Sequence, residues 1–371
     1  MKLASYNVEN LFDRPKILNL ENWDEGKEVL EDYKTLSDIV QHETYTEGDK
    51  AAILEIMGKY KGLLSNGESR YILLRDNKGK LIRKNKDKTY EVVANGRADW
   101  IGWFELVTEE IKETATENTA RIIQLVSPDV LAVIEAEDRI GLKRFNENVL
   151  PRIGCDPFGH VMLIDGNDDR GIDVGVMSRP ACEIVNMRSH IDDTDGDGVI
   201  FSRDCAEYEF ATEKGNKLLL LVNHFKSKGY GDSDASDAKR LRQASRVRKI
   251  VEERLAEGHR YLAVCGDLND TPQSAPLAPL ADTALGLVDI MAHARFVGDG
   301  RPGTWGNGTA SGKLDYIFMS PALAEKVLGG GIERRGVWGG KNGDLFEHLP
   351  AMRSAKDAAS DHAALWVELD V

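Results

Sequence analysis

Seven short apolar runs constrain this chain more than any other feature. They are KLASYNV at the start, DVLAVIEA at 129–136, DVGVMS at 173–178, KLLLLVNHF at 217–225, YLAVCGDL at 261–268, LDYIFMS at 314–320 and AALWVEL at 363–369. Each is short and rich in branched or aromatic side chains, the pattern of a buried strand. Helical patterns lie between some of them. One is FELVTEEIKETATENTARIIQLV at 104–126, stopped by Ser127-Pro128; the other is SDASDAKRLRQASRVRKIVEERLAEG at 233–258, with Gly258 placed as its C-cap. Strands and helices mixed in this way predict an α/β layered domain. The 371 residues are enough for one large domain or two ordinary ones.

The ends of these runs are unusual. YLAVCGDLNDTP closes an apolar strand with Asp267 and Asn269, two positions apart and so on one face. Taken alone, that stretch reads equally well as a polar turn. Five other ends carry similar chemistry. SYNVEN places Asn7 and Glu9 two apart, LAVIEAED brings out Glu135, and LVNHFKSK ends in Asn223 and His224. KLDYIF holds Asp315 among apolar neighbours, and SDHAALWVEL opens with Asp361-His362. Oxygen donors and imidazoles without cysteine ligands predict one site for a hard cation such as magnesium or manganese. The two histidines add acid–base or phosphate-contacting groups. Lys226 and Lys228 follow His224 at period two, and Arg170 precedes DVGVMS. Arg170 and Lys226 are the candidate phosphate contacts, against the alternative of ordinary surface cations.

The net charge of −14 argues against tight non-specific binding to a nucleic-acid backbone, though a bound metal and a local basic groove can offset it. Cys155, Cys182, Cys205 and Cys265 match no zinc spacing and no dense disulfide framework, so reduced buried thiols are expected. No run of apolar residues is long enough to span a membrane, and MKLASYNVENLFD lacks the apolar core of a signal peptide. The expectation is a cytoplasmic protein with no membrane association and no evident obligate protein partner.

Two stretches stand apart. Residues 14–104 hold a helix pattern, EGDKAAILEIMGKYKGLL, and then a predicted hairpin, RYILLRDNKGKLIRKNKDKTYEVV, strongly basic from Lys78 to Lys88. This block reads as an elaboration inserted into a single domain over 1–371, its charge serving either as a rim or lid or as a solvated surface. The second stretch is DDTDGDGVIFSRD at 192–204. It fits a calcium loop, with Asp193, Asp195 and Asp197 at positions one, three and five, Gly198 at six and Asp204 at twelve. Flanks that read as strands, and Asp rather than Glu at the last position, favour a Gly/Asp-rich turn instead.

The order N-x-E, strand-terminal Glu, N-H, G-D-x-N, L-D-Y-I and S-D-H resembles the endonuclease/exonuclease/phosphatase superfamily, with its DNase I-like fold. The resemblance covers residues 1–13 and about 105–371, and LVNHFKSKG followed by RLRQA resembles its bacterial nuclease-like members. It implies a four-layer αββα sandwich of two mixed sheets whose strand ends converge on one site. It implies Glu135 as the principal metal ligand, with Asn7, Glu9 and Asp361 in or near the metal shell. Asp267 and Asn269 would orient or activate water and contact phosphate. His362, paired with Asp315, would act near the scissile phosphate, and His224 would bind a phosphate oxygen or serve the leaving group. Whether Asp267 or His362 is the base stays open. Ile134 stands where the family often has Gln, and the 14–104 block is longer than usual. The implied activity is metal-dependent phosphodiester hydrolysis, most simply of DNA or RNA. The alternatives are a small organophosphate, nucleotide or lipid headgroup as substrate, and a binding module without catalysis.

Overall fold

The computed structural model describes residues 1–9, 11, 13–15, 17, 23–110, 113–168, 170–228 and 233–371. These residues form two compact units, one of Met1–Phe12, Ile111–Lys228 and Asp232–Val371, the other built on Asp13–Glu110.

The strands of the two large sheets in the first unit are β1 (Lys2–Asn7), β2 (Val130–Ala136), β3 (His160–Ile164), β4 (Asp173–Ser178), β5 (Ile184–Arg188), β6 (Cys205–Ala211) and β7 (Lys217–His224). They continue with β8 (Tyr261–Asp267), β9 (Val288–Asp289), β10 (Phe296–Val297), β11 (Asp315–Met319), β12 (Val327–Glu333) and β13 (Ala364–Leu369). One sheet runs β10-β12-β13-β1-β2-β4-β3 and the other β5-β6-β7-β8-β11-β9. The seven apolar runs are all strands, within one residue of the expected ends. Both sheets are mixed: β1 runs parallel to β2 and antiparallel to β13, while β7 runs parallel to β8 and β8 antiparallel to β11.

These runs are apolar throughout because both faces of each sheet are covered. Along β1, Leu3 points inward and Ala4 outward. The inner faces meet through Leu3, Ile134, Val176 and Val367 on one side and Tyr208, Leu220, Val222 and Ile317 on the other. Helix α1 (Glu113–Val126) covers the outer face of the first sheet, setting Ala120, Ile123 and Val126 against Ala4, Leu131 and Val133. Helix α2 (Ser233–Ala256) covers the second, setting Ala244, Val247 and Val251 against Leu219, Leu262 and Val264. The result is the four-layer αββα sandwich. Each large aliphatic side chain so buried stabilises the fold by about 1.5–3 kcal/mol. All four cysteines are buried free thiols. Among the described residues no helix is long and apolar enough to cross a membrane.

The second unit has its own core, including Leu36, Ile53, Met57, Ile72, Trp100 and Phe104. Its helices are Trp23–Ile39 and Glu47–Lys59, the latter opened by a capping box between Thr46 and Asp49. Here the strand pairing departs from expectation. Ile72–Lys78 pairs with Ile101–Leu106, and only Ile82–Lys84 and Tyr90–Val92 form the local hairpin. The fully buried Trp100 holds this arrangement, its indole N–H donating to Asp76 at 2.7 Å. The same pairing removes the first turns of the helix expected from residue 104. Gly102 and Phe104 are buried and Ile101 and Trp103 exposed, which is strand alternation.

Candidate active site

Parallel strands bring their C-terminal ends to one edge of a sheet, and antiparallel neighbours begin at that edge. In the first sheet, β1 ends at Asn7 and β2 at Glu135-Ala136, while Asp361 and His362 stand just before β13. In the second, β7 ends at His224 and β8 at Asp267, and β11 begins with Asp315 opposite Asp267. The two edges touch, since the Asn7 amide donates to Glu135 Oε1 and to Asp267 Oδ2, each at 3.2 Å.

Backbone geometry aims these side chains. Glu9, Glu135 and Asn269 have φ of 56°, 67° and 53°, in the left-handed region that non-glycine residues avoid. Glu135 is the extra residue of a bulge: Asp173 and Val174 of β4 pair with Ala136 and Ile134, skipping it. The bulge re-aims its carboxylate out of the β2 pleat. Gly266 has φ of 127°, and a Cβ there would overlap the Asn223 carbonyl. Only glycine lets β8 deliver Asp267 this close to β7.

A dense network fixes the polar groups. Asp267 Oδ1 accepts from the Asn269 backbone N–H at 2.8 Å, and the Asn269 amide donates to the Phe225 carbonyl at 3.1 Å. Asn269 thus turns past the strand end, and does not stand beside Asp267 on an extended face. His362 Nδ1 lies 2.8 Å from Asp315 Oδ2, and its Nε2 lies 3.7 Å from both Asp267 Oδ2 and Asp361 Oδ1. His224 Nε2 lies 3.5 Å from Glu135 Oε1 and 3.8 Å from Asp267 Oδ2. Glu9 Oε2 accepts from the Asp361 N–H at 3.0 Å. The Ser360 hydroxyl donates to the Asn7 carbonyl at 2.7 Å and accepts from the His362 N–H, tying S-D-H to β1.

The two histidines sit in opposite fields. Burial opposes charge on His362, but Asp315, Asp361 and Asp267 outweigh it and hold its pKa well above the ordinary value. For His224, burial pushes the pKa well down, and Arg203 and Arg170 push the same way. One imidazole is held charged and the other neutral, the kind of divergence that separates acid from base roles. Burial also raises Asp267 well above the carboxylate range; His362 opposes this, while Asp315 and Glu135 add to it.

Several contributors carried no sequence signal. Arg203, fully buried, donates to Asp168 Oδ2 at 2.9 Å and to the Phe225 carbonyl at 2.6 Å, and so braces the turn after His224. Trp305 donates from its indole to Asp361 Oδ2 at 2.8 Å while remaining 40% exposed. Thr304 Oγ1 accepts from the Asp315 N–H at 3.0 Å. All three lie outside the apolar runs, in loops whose periodicity points to nothing. The expected cations stand less simply. The Arg170 guanidinium grips Asp168 through bonds of 2.9 and 2.7 Å. Lys226 ties its backbone to Gln243 and Arg240 of α2, and Lys228 pairs with Asp270.

The 193–204 stretch is a small hairpin, Thr194–Asp195 against Gly198–Val199. Asp193 Oδ2 accepts from Arg246 at 2.6 Å, and Asp195 is gripped by Arg242. Asp204 Oδ1 accepts from the His190 N–H at 2.7 Å, and Asp197 donates its own N–H to Asp195. Among the described residues, the acidic and imidazole groups close enough to share an ion are Glu135 with His224 and Asp267, and Asp267 with Asp315 and His362. None comes from this stretch, whose Asp193 and Asp195 are paired with Arg246 and Arg242 of α2.

Residues 105–362 match the Endonuclease/Exonuclease/phosphatase family. The chain belongs to that family, and each of the three activities in its name is hydrolysis of a phosphoester bond. Among solved structures, it resembles an endonuclease/exonuclease/phosphatase from Bacteroides vulgatus at 15% identity and TM-score 0.50, over 70% of this chain and 91% of that one. It also resembles the mannosyl-6-phosphatase of Bacteroides thetaiotaomicron at 18% identity and TM-score 0.49, over 70% and 92%. The human Nocturnin catalytic domain aligns at 18% identity and TM-score 0.47, over 70% and 87%. No curated protein gives a match.

Proposed function

We propose that this protein is a divalent-metal-dependent phosphoesterase that hydrolyses phosphodiester bonds by in-line attack of water, most simply in DNA or RNA. The observation that carries this reading is the meeting of six strand ends in one constellation: Asn7, Glu135, His224, Asp267, Asp315 and the Asp361-His362 pair.

The donor set suits a magnesium or manganese ion. Glu135 and Asp267 face each other through Asn7, and among the described residues no Lys or Arg pairs with either. Carboxylates drawn together with so little positive charge beside them are costly to keep ionised, and oxygen donors of this kind favour hard divalent ions. Glu135, Asn7, Glu9 and Asp361 would hold it. Bound there, it would neutralise the phosphate charge and stabilise the leaving oxygen.

The remaining roles follow from the side chains. Asp315 fixes the His362 tautomer and favours imidazolium, whose Nε2–H can donate to a phosphate oxygen. Asp267, raised in pKa and hydrogen-bonded by Asn269, is suited to take a proton from the attacking water. His224, held neutral, can donate one hydrogen bond to a phosphate or leaving-group oxygen. Lys226 is the proposed phosphate contact, and Arg170, which holds Asp168, supplies positive field near His224. A small phosphoester is the second reading, favoured by the net charge of −14.

The test is turnover of a chromogenic phosphodiester and of plasmid DNA with magnesium, manganese or chelator. Chelation should abolish both. Glu135→Ala and His362→Ala should each lower kcat/KM at least about 10²-fold with the fold intact. Activity that survives chelation, or near-native rates in either variant, would sink the assignment.

A further inference from the structure

The named residues of the catalytic constellation all belong to the first unit, whereas the second unit carries a dense run of positive charge. From Arg70 to Lys88 there are eight basic residues and two acidic ones, within a protein of net charge −14. Some of this charge is internally matched: Arg75 pairs with Glu105, Lys80 with Asp76 and Arg83 with Glu91. Arg70, Lys78, Lys84, Lys86 and Lys88 are exposed and lie in no ion pair among the described residues.

Aromatic rings are interleaved with these cations. Arg70 lies 5.0 Å over the Tyr71 ring and Lys84 5.7 Å over Tyr90. On the Ile72–Lys78/Ile101–Leu106 strand pair, Arg75 stands opposite Trp103 and Lys78 opposite Ile101. Trp103 is 42% exposed, and its indole N–H donates to Glu105 at 2.6 Å, which holds the ring in place. An indole fixed and exposed on the strand that pairs with Lys78, in a unit that also exposes Lys84, Lys86 and Lys88, matches the two requirements of single-strand recognition, cations for phosphates and a flat ring for a base.

We propose that the Arg70–Lys88 segment and the exposed face around Trp103 form a docking surface for a nucleic-acid strand. The proposal deepens the nuclease reading and rests on it for its biological sense. Charge complementarity selects a polyanion. The exposed apolar area, confined here to Ile101 and Trp103, is too small to insert into a bilayer as an interfacial helix does.

The experiment is anisotropy of a labelled single-stranded oligonucleotide, with chelator present to stop cleavage, over a series of salt concentrations. The wild type should bind at low salt and weaken steeply as salt rises. The triple variant Lys78→Glu/Lys84→Glu/Lys86→Glu should bind at least about tenfold more weakly, with a salt slope shallower by about 2. Trp103→Ala should weaken binding by about tenfold with the slope unchanged. Both variants should turn over the chromogenic phosphodiester at the wild-type rate. No oligonucleotide binding by the wild type, equal binding by the triple variant, or binding only to phosphatidylserine vesicles would each overturn the docking surface. Loss of small-ester turnover in the wild type would instead refute the catalytic reading, while the anisotropy result still decides this one.

Discussion

At the scale of single residues, the site is held by conformations that most side chains avoid. Among the described residues five non-glycine positions have left-handed φ, and Glu9, Glu135 and Asn269 are three of them. Each such residue costs on the order of 1–3 kcal/mol, and strain of that size persists where surrounding bonds over-determine it. Gly266 shows the limit, because its φ of 127° and its contact with the Asn223 carbonyl leave no room for a methyl group. Gly266→Ala should therefore destabilise the fold by at least about 2 kcal/mol, read as a lower denaturation midpoint in urea. An unchanged midpoint would mean that β7 and β8 can separate without cost. Residue types at strand ends were legible because an apolar run gives way to polar residues where a buried strand stops. The left-handed turn at Asn269 and the bulge at Glu135 were not, because periodicity carries no sign of φ. Ser360, Thr304 and Trp305 act through loop contacts that local pattern does not encode.

At the scale of elements, seven strands could be read from their apolar runs and β5 and β6 as flanks of the 192–204 stretch; of the strands that were missed, β3, β9, β10 and β12, the longest is β12. Its sequence, VLGGGIE, looks like a loop. The structure gives the reason for the glycines: a Cβ at Gly330 would collide with Ile290 and one at Gly331 with the Trp366 ring. Packing from neighbouring elements fills the space that side chains would take. The 193–204 hairpin teaches the converse, since a motif with calcium-loop spacing places Asp195 against Arg242 and Asp193 against Arg246. Carboxylates already paired with guanidinium groups gain little from a cation. The double variant Asp195→Asn/Asp197→Asn should show the same difference in melting temperature between calcium and chelator as the wild type. A calcium response that disappears in the variant would establish the hairpin as a cation site.

At the scale of the whole molecule, the two units build their hydrophobic cores from separate stretches of chain. One sandwich is made by Met1–Phe12, Ile111–Lys228 and Asp232–Val371, and a second cluster, from Ile17 to Phe104, belongs to the other unit. Units with their own cores need not unfold together, so a single unfolding free energy is not assured. Metal binding supplies a label that separates them. An ion that binds only the folded state stabilises it by about 2.7 kcal/mol when present at a hundred times its Kd. The candidate ligands Asn7, Glu9, Glu135 and Asp361 all belong to the sandwich. In scanning calorimetry, magnesium or manganese should raise one of two unfolding transitions by a few degrees and leave the other in place. Glu135→Ala should abolish that shift without moving the second transition. If both transitions rise together, the units unfold as one cooperative body; if neither moves, the six strand ends hold no divalent ion, and the metal-dependent mechanism falls with them.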